Sequence, residues 1–380
     1  MMGTIFGIIV GLIILVALVV AHEFGHALAA RRSGVRVEEF GIGFPPQAYK
    51  TKLKNGTIFS LNWLPLGGFV KLQGEYDASD KKGDYGAASF LQKTKILLAG
   101  VAVNFLVAAV LFSALSLFGL PKIIDGQFNI PSDATVVNQP VEVIGLKSGF
   151  PADKAGIKVG DKIIKLAGVR PETPSRLIQL TKENHGKTVA VVYERDDKEN
   201  TVEVKLGDDK SGVLLGANLG QREYIRATWS APIVGFGTAT QYSVLTMQSI
   251  GQLLYNLGNG LVSQLNPDPV ARQHASDGLK SVGDSVSGPV GILGTIFPAA
   301  EAAGLTQLVF LTAIISVSLA VMNILPIPAL DGGRWFTMVV FRLFKKKLTR
   351  EREEKIQSVG FTILMGLVVV VTVLDIFRLF

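Results

Sequence analysis

The sequence predicts a polytopic α-helical membrane protein with four transmembrane helices, a membrane-associated β-hairpin region and one extracytoplasmic α/β domain. Three observations predict this fold class. Only 18% of the 380 residues are charged, against roughly 25% in soluble domains. Four long segments are apolar and almost free of charge. The remaining charge is uneven, because two short segments are basic and one long segment is balanced.

The four apolar segments can each form a membrane-spanning helix, which takes about 20 residues to cross the hydrocarbon layer. Glu23 is the one charged residue among residues 1–30. We interpret this segment as a retained helix rather than a cleaved signal peptide, because no basic region precedes its apolar run. The other three segments are uncharged and cover residues 96–121, 302–330 and 359–374.

The net charge of +7 indicates membrane topology rather than nucleic-acid binding. Residues 31–95 hold 11 Lys and Arg against 6 Asp and Glu, and residues 331–358 hold 8 against 4. Residues 121–301 hold 18 against 19. Since basic loops remain in the cytoplasm, the two short segments should be cytoplasmic and the balanced one should lie on the other side.

Residues 227–267 also lack charge but contain many Thr, Ser, Gln and Asn residues. Some apolar residues recur there at helical spacing, which favours an interfacial or protein-packed amphipathic helix over a fifth span. A fifth crossing would also move the basic residues 331–358 to the wrong side of the membrane.

Residues 22–26 read His-Glu-Phe-Gly-His. On a helix, His22 and His26 project from one face, where they can bind one Zn²⁺ while Glu23 holds the attacking water. They lie roughly 7–14 Å inside the helix end at Arg31, a depth at which ionisable residues tend to be functional. The alternative is a helix end whose His and Glu side chains snorkel to the interface or pair with each other.

A catalytic zinc needs a third protein ligand and one open position. His185 and His274 fall in the balanced segment across the membrane, which leaves Asp331 as the candidate. Pro326 and Pro328 must break the helix before it, and the two following glycines allow a tight turn that points the acid back toward the first helix. The alternative is a solvated acid at a plain helix exit.

These residues resemble the site-2 protease family of intramembrane zinc metalloproteases, and especially its bacterial regulated-intramembrane-proteolysis branch, here with a single PDZ domain. The resemblance implies a zinc metalloendopeptidase with His22, His26 and Asp331 as metal ligands and Glu23 as the general base. Further segments match the family in order, at residues 41–44, 65–71, 99–105, 287–292 and 323–333.

The resemblance also implies the substrates and the location of the enzyme. It would cleave a peptide bond in or near the transmembrane segment of single-span membrane proteins, such as anti-sigma factors or remnant signal peptides. It would lie in the bacterial cytoplasmic (inner) membrane, with the PDZ domain extracytoplasmic and the active site near the cytoplasmic face. Asn323 matches a family position thought to contact the substrate.

Residues 134–206 predict a small α/β module. Strands are expected at residues 141–146, 188–194 and 201–206, and a short helix at residues 175–184. Residues 151–164 look like a PDZ hallmark, and such a domain adds an extended peptide to a sheet edge. The alternative is a lid or spacer that binds no peptide.

Residues 35–75 are cytoplasmic by charge but apolar, with an Asn55-Gly56 turn typical of β-hairpins. A substrate helix must unwind before cleavage, and a strand edge can hold the unwound segment by main-chain hydrogen bonds. We therefore predict that Gly68, Phe69 and Val70 bind substrate. The alternative is a hairpin that merely rests on the bilayer. The run Lys345-Lys346-Lys347 predicts attraction to anionic membrane lipid.

A different class of function is a membrane-anchored PDZ scaffold with a non-catalytic zinc site. Structural zinc sites have four protein ligands, whereas three are found here. The predicted domains are the first transmembrane helix with the zinc motif (1–34), the cytoplasmic β-region (35–95), the second helix (96–121), the PDZ-like domain (122–210), an amphipathic linker (211–301), the third helix with the Asp ligand (302–333), and a basic loop with the fourth helix (334–380).

Overall fold

A computed structural model describes residues 2–75, 81–195, 198–207, 214–264 and 287–379, together with 268, 270, 272, 273, 276 and 278. The chain divides into two compact units. Unit 1 contains Met1–Leu115 and Pro232–Phe380, and unit 2 contains Ser116–Ala231. His274 and residues 265–267 of the predicted amphipathic stretch lie outside the described residues.

The described residues form helices and strands that are numbered here in chain order. In chain order they are α1 (Met2–Arg32), β1 (Val37–Lys52), β2 (Ile58–Leu72), α2 (Phe90–Phe118), β3 (Leu120–Lys122), β4 (Thr135–Asn138), β5 (Val141–Leu146), α3 (Pro151–Lys154), β6 (Lys162–Leu166), α4 (Pro174–Glu183), β7 (Thr188–Arg195), β8 (Lys198–Lys205), β9 (Ala217–Gly220), β10 (Glu223–Arg226), α5 (Ala231–Ser263), α6 (Pro289–Ala302), α7 (Leu305–Ile324), α8 (Asp331–Leu343) and α9 (Arg350–Leu379).

Four helices, α1, α2, α7 and α9, are long and apolar enough to cross a membrane, as the sequence predicts. Large apolar side chains such as Ile13, Val110 and Ile363 are exposed on them, which suits hydrocarbon as the surrounding solvent. α5 is a single helix of 33 residues and is not among these four. Together with the sheet of β1 and β2, the four helices make the chain a polytopic membrane protein.

β1 and β2 are long strands that fold back on each other in unit 1. The first part of β1, residues 37–42, pairs with residues 68–72 of β2 in antiparallel register. The last part, residues 47–52, pairs with residues 58–62. Residues 39–42 are also paired with residues 58–61, so the first part of β1 lies between two segments of β2. Residues 68–72 therefore lie beside the first residues of β1, which come soon after the end of α1.

The turn between β1 and β2 lies where the sequence predicts it. The backbone amide of Leu53 donates to the Thr57 carbonyl, and the amide of Gly56 donates to the Leu53 carbonyl, both at 2.9 Å. Gly56 has a φ of 87°, a conformation that glycine adopts without the steric cost borne by other residues.

Unit 2 contains a five-stranded sheet in the order β8-β7-β6-β5-β9 and a three-stranded sheet in the order β3-β10-β4. The predicted strands correspond to β5, β7 and β8, and the predicted helix corresponds to α4. The amphipathic face of α4 buries Leu177 and Leu180 in a core that also contains Ile163 and Val191. The alternating burial along β7 is what a sheet with one covered face requires.

The third apolar segment contains one span, α7, as predicted, and this helix is shorter than the uncharged run of residues 302–330. α6 ends at Ala302, and Gly304, at a φ of 102°, separates it from α7. α7 ends at Ile324, so Pro326 and Pro328 break the chain as predicted. The basic segment that follows was predicted as a loop, but it begins with α8, which buries Thr337 and Met338.

Candidate metal centre and active site

α1 brings the two histidines of the motif to one buried face. His22 and His26 are 7% and 9% exposed, and their ring centroids lie 4.7 Å apart. Gly25 between them allows α2 to pack closely, because a Cβ there would lie 2.7 Å from the Ala99 carbonyl oxygen. Glu23, on a neighbouring face, is half-buried.

Asp331 reaches this face from a tight turn between α7 and α8. Ala329 has a φ of 80°, and Leu330 is extended at the N-cap of α8. A Cβ on Gly332 would overlap the Ile324 carbonyl oxygen, and one on Gly333 would overlap the Ile327 carbonyl oxygen. The two glycines therefore let the turn close, and the first residue of α8 projects toward α1.

Three side-chain atoms form a nearly equilateral triangle at this point. His22 Nε2 lies 3.0 Å from Asp331 Oδ2 and 3.1 Å from His26 Nε2, and His26 Nε2 lies 3.2 Å from Asp331 Oδ2. Ligand atoms about 2.0–2.1 Å from a tetrahedral zinc would be about 3.3 Å apart. Among the described residues, this is the one group of three His, Cys, Asp or Glu side chains that could hold a metal ion, and its donor set suits zinc.

The opposite nitrogens of the two imidazoles also have partners. His26 Nδ1 lies 2.8 Å from the Ile96 carbonyl oxygen, and His22 Nδ1 lies 3.3 Å from the Asn104 side-chain amide. Gly100, one turn before Asn104, leaves the space that the two Nε2 atoms fill. α2 therefore packs directly against the two histidines of the triangle.

Glu23 lies between the triangle and the sheet. It is close enough to His26, His22 and Asp331 for electrostatic interaction, and the backbone amide of Val70 is within hydrogen-bonding reach of its carboxylate. A Cβ on Gly68 would lie 3.5 Å from Glu23 Cγ. Thus two of the three predicted substrate-binding residues of β2 lie beside the predicted general base.

Two other predicted residues have different surroundings. The ring of Phe69 lies over Gly41 of β1, on the sheet rather than against the triangle. The side-chain amide of Asn323 donates to the Leu319 carbonyl of its own helix at 3.0 Å. His185 belongs to unit 2, where its Nδ1 lies 2.8 Å from the Lys182 carbonyl oxygen.

Sequence reasoning gave no role to Gly100 or Asn104. Both lie in residues 99–105, which resemble the family, but neither is charged, so the charge pattern gives no sign of them. The signal that could have found Asn104 is its type, because a primary amide inside an otherwise apolar span is costly unless it has a partner.

The sequence pattern of Peptidase family M50 matches residues 10–367. The chain belongs to this peptidase family. This membership confirms the resemblance to the site-2 proteases and the enzyme class, a zinc metallopeptidase of site-2 type that acts in the membrane in regulated proteolysis.

Related proteins align with nearly the whole length of this chain. A putative zinc metalloprotease of Clostridium perfringens is 31% identical over 97% of this chain and 98% of its own. The zinc metalloprotease RasP of Geobacillus kaustophilus is 27% identical, with 100% of each chain covered. The regulator of sigma-W protease RasP of Bacillus subtilis is 26% identical over 98% of this chain and 99% of its own.

Proposed function

We propose that the chain hydrolyses a peptide bond in or near the transmembrane segment of a membrane protein, with His22, His26 and Asp331 as the zinc ligands and Glu23 as the general base. The observation that carries the proposal is the triangle of two Nε2 atoms and one Oδ2 atom, with edges of 3.0–3.2 Å, beside a half-buried carboxylate. Three protein ligands leave a fourth position open, as in catalytic rather than structural zinc sites.

The chemistry that zinc supplies when bound is Lewis-acid activation of a water molecule and of the scissile carbonyl. Glu23 accepts the proton of the attacking water and donates it to the leaving amine. The Val70 amide supports this role, since a backbone N–H near the carboxylate orients it without carrying a charge of its own.

The substrate is held as an extended strand at the edge of residues 68–72. In a strand, alternate residues present their amides to the same edge. The Val70 amide faces Glu23, and we therefore expect the Gly68 amide to face the same side. Main-chain hydrogen bonds at this edge would keep an unwound substrate segment beside the general base.

We infer that unit 2 contains a single PDZ-like domain within residues 122–210 and the strand β9 that follows it. A groove of about 520 Å³ lies between α4 and β9, and β9 is at the end of the strand order. Ile178 and Thr181 line one wall, and Leu215 and Leu219 line the other. Such a groove suits β-augmentation by an extended peptide.

The proposed substrates are single-span membrane proteins, with anti-sigma factors favoured by the name of the Bacillus subtilis relative. We place the enzyme in the bacterial cytoplasmic membrane, with unit 2 extracytoplasmic and the zinc site near the cytoplasmic face, because the basic segments flank that site. Exposed Lys345, Lys346 and Lys347 would attract anionic lipid.

The proposal predicts that Glu23→Gln abolishes cleavage while zinc remains bound. Loss of a general base costs about 100-fold or more in rate, whereas the three metal ligands are untouched. The full chain in detergent would be incubated with a model single-span substrate, and zinc content would be measured on the same preparation. A chelator should stop the wild-type reaction.

Glu351→Gln is a matched control, because it makes the same change at an exposed carboxylate in the first turn of α9. It should cleave like the wild type. Undiminished turnover by Glu23→Gln would contradict the assigned base, and turnover that survives complete zinc removal would contradict the metal mechanism.

A further inference from the structure

His22 needs a hydrogen-bond acceptor at its second nitrogen if it is to bind a metal ion. Both histidines direct Nε2 into the triangle. A neutral imidazole has one nitrogen with a lone pair and one with a proton. When Nε2 binds a cation, the proton must therefore be at Nδ1, and this buried N–H requires an acceptor.

His26 meets this requirement through the backbone. Its Nδ1 lies 2.8 Å from the Ile96 carbonyl oxygen, in a buried contact. A carbonyl oxygen can only accept, so the proton of His26 is at Nδ1 and the lone pair of Nε2 points into the triangle. The tautomer of His26 that suits a metal ion is thus fixed by α2.

His22 meets the side chain of Asn104 instead. The amide nitrogen of Asn104 lies 3.3 Å from His22 Nδ1, and Asn104 is 1% exposed. Among the described residues, the amide oxygen of Asn104 has no hydrogen-bond partner. In this orientation the amide donates to Nδ1, and the proton of His22 must then be at Nε2, inside the triangle.

A half-turn of the Asn104 amide resolves the conflict. It exchanges the amide oxygen and nitrogen, so that the oxygen accepts the Nδ1 proton of His22. One amide atom lacks a partner in either orientation, and the preference is therefore set by His22. With the oxygen toward His22, the lone pair of Nε2 faces the metal position, as it does in His26.

The backbone of Asn104 is held independently of this contact. The hydroxyl of Ser316 on α7 donates to the Asn104 carbonyl at 2.8 Å, and Ser316 is fully buried. Gly100, one helical turn earlier, allows α2 to approach the imidazoles. The side chain can thus rotate at its end while its backbone stays in register with His22.

We propose that Asn104 is a positioning residue for the metal centre, whose amide oxygen accepts the Nδ1 proton of His22 and fixes the tautomer that binds zinc. The inference rests on the proposed ligand set of His22, His26 and Asp331. The Asn104 side chain would thus accept the Nδ1 proton of His22, as the Ile96 carbonyl accepts that of His26.

The test is the zinc affinity of the purified full chain, measured by competition with a chromogenic chelator and no substrate. Asn104→Leu keeps the size but removes the acceptor, and zinc should bind about 10- to 100-fold more weakly. Asn104→Asp restores an acceptor and should bind zinc at least as tightly as the wild type. Asn104→Ala repeats the first comparison with a smaller side chain, on folded protein isolated by size exclusion.

Ser316→Ala is the control for packing, because it removes a hydrogen bond to the same residue without touching His22. Its zinc affinity should fall much less than that of Asn104→Leu, because the acceptor for His22 Nδ1 is still present. Equal losses in Asn104→Leu, Asn104→Asp and Ser316→Ala would overturn the proposal, as would unchanged affinity in both Asn104→Leu and Asn104→Ala. His22→Ala tests the proposed ligand set separately from the role of Asn104. If this variant retains wild-type zinc affinity, the ligand set itself is wrong.

Discussion

Gly100 is the residue whose missing side chain makes room for the proposed metal centre. A Cβ at this position would lie 2.5 Å from Nε2 of His26 and 2.7 Å from Nε2 of His22. Both atoms belong to rings fixed by contacts on their far sides, to the Ile96 carbonyl and to Asn104. Neither ring can therefore retreat without losing its own partner.

We predict that Gly100→Ala weakens zinc binding by about tenfold or more, the size of effect seen when the support of a metal ligand is disturbed. Gly366→Ala makes the same change in α9, where a Cβ would meet nothing within 4 Å, and should leave zinc affinity unchanged. Zinc retained after dialysis against a weak chelator measures both. Equal retention by the two variants would show that α2 can move away from the histidines at little cost.

At the residue scale, the sequence predicted the candidate metal-binding side chains better than the residues that pack against them. His22 and His26 were predicted from their spacing and Asp331 from a broken helix, and the structure brings these three together; their roles remain predictions. Gly100 acts through the absence of a side chain, which no charge or spacing pattern reveals. Asn323 was expected near substrate by resemblance alone, and its amide is bonded to its own helix.

One face of α9 supports the turn that presents Asp331. Gln357 Oε1 accepts the backbone amide of Ala329 at 2.6 Å, and Glu353 accepts from Arg334 at 2.7 Å. A Cβ on Gly360 would overlap Pro328. These three positions of α9 are four and three residues apart, which places them on one helical face. The turn that presents Asp331, the proposed third ligand, is thus held by the fourth span.

We predict that Gln357→Leu destabilises the turn and weakens zinc binding several-fold. It leaves the amide of Ala329 unpaired, at a cost of about 1–3 kcal/mol, and Ala329 already has a left-handed φ of 80°. Thermal unfolding and zinc competition would measure the two effects.

Ala329→Gly in the same chain should recover part of the loss, because glycine adopts positive φ without the steric cost that alanine bears. Ser358→Ala alters the exposed neighbouring position of α9 and should change neither quantity. If Ala329→Gly does not raise the thermal stability or zinc affinity of Gln357→Leu, then the hydrogen bond from Gln357 does not act by offsetting backbone strain at Ala329.

At the element scale, the strength of the local signal decided which elements could be predicted. Pro326 and Pro328 ended α7 as expected, since proline cannot continue a helix. α8 was missed because its basic residues indicated a loop, although its apolar residues recur at helical spacing. The double pairing of β1 with β2 depends on contacts between residues distant in sequence, which strand patterns do not specify.

At the scale of the whole molecule, the distribution of charge predicts the topology. The chain contains no cysteine, so single cysteines report accessibility without background. We predict that Lys346→Cys reacts with a membrane-impermeant maleimide only from the cytoplasmic side, and Lys198→Cys in β8 only from the opposite side. Both positions are exposed.

Intact and inverted membrane vesicles supply the two arms of this experiment. Labelling of both cysteines from the same side would contradict a single membrane crossing, α7, between them and the proposed sidedness. Since one cysteine lies in each unit, the result does not depend on how the two units are arranged.

The separation of the proposed metal ligands along the chain has a consequence for biosynthesis. His22 and Asp331 are 309 residues apart, and a ribosome adds about 5–20 residues each second, so roughly 15–60 s pass between their syntheses. During this time the nascent chain contains His22, His26 and the proposed general base Glu23 but lacks Asp331. We expect an unfinished or truncated enzyme to be unable to assemble its cutting centre, which would protect the membrane from premature proteolysis while the chain is being inserted.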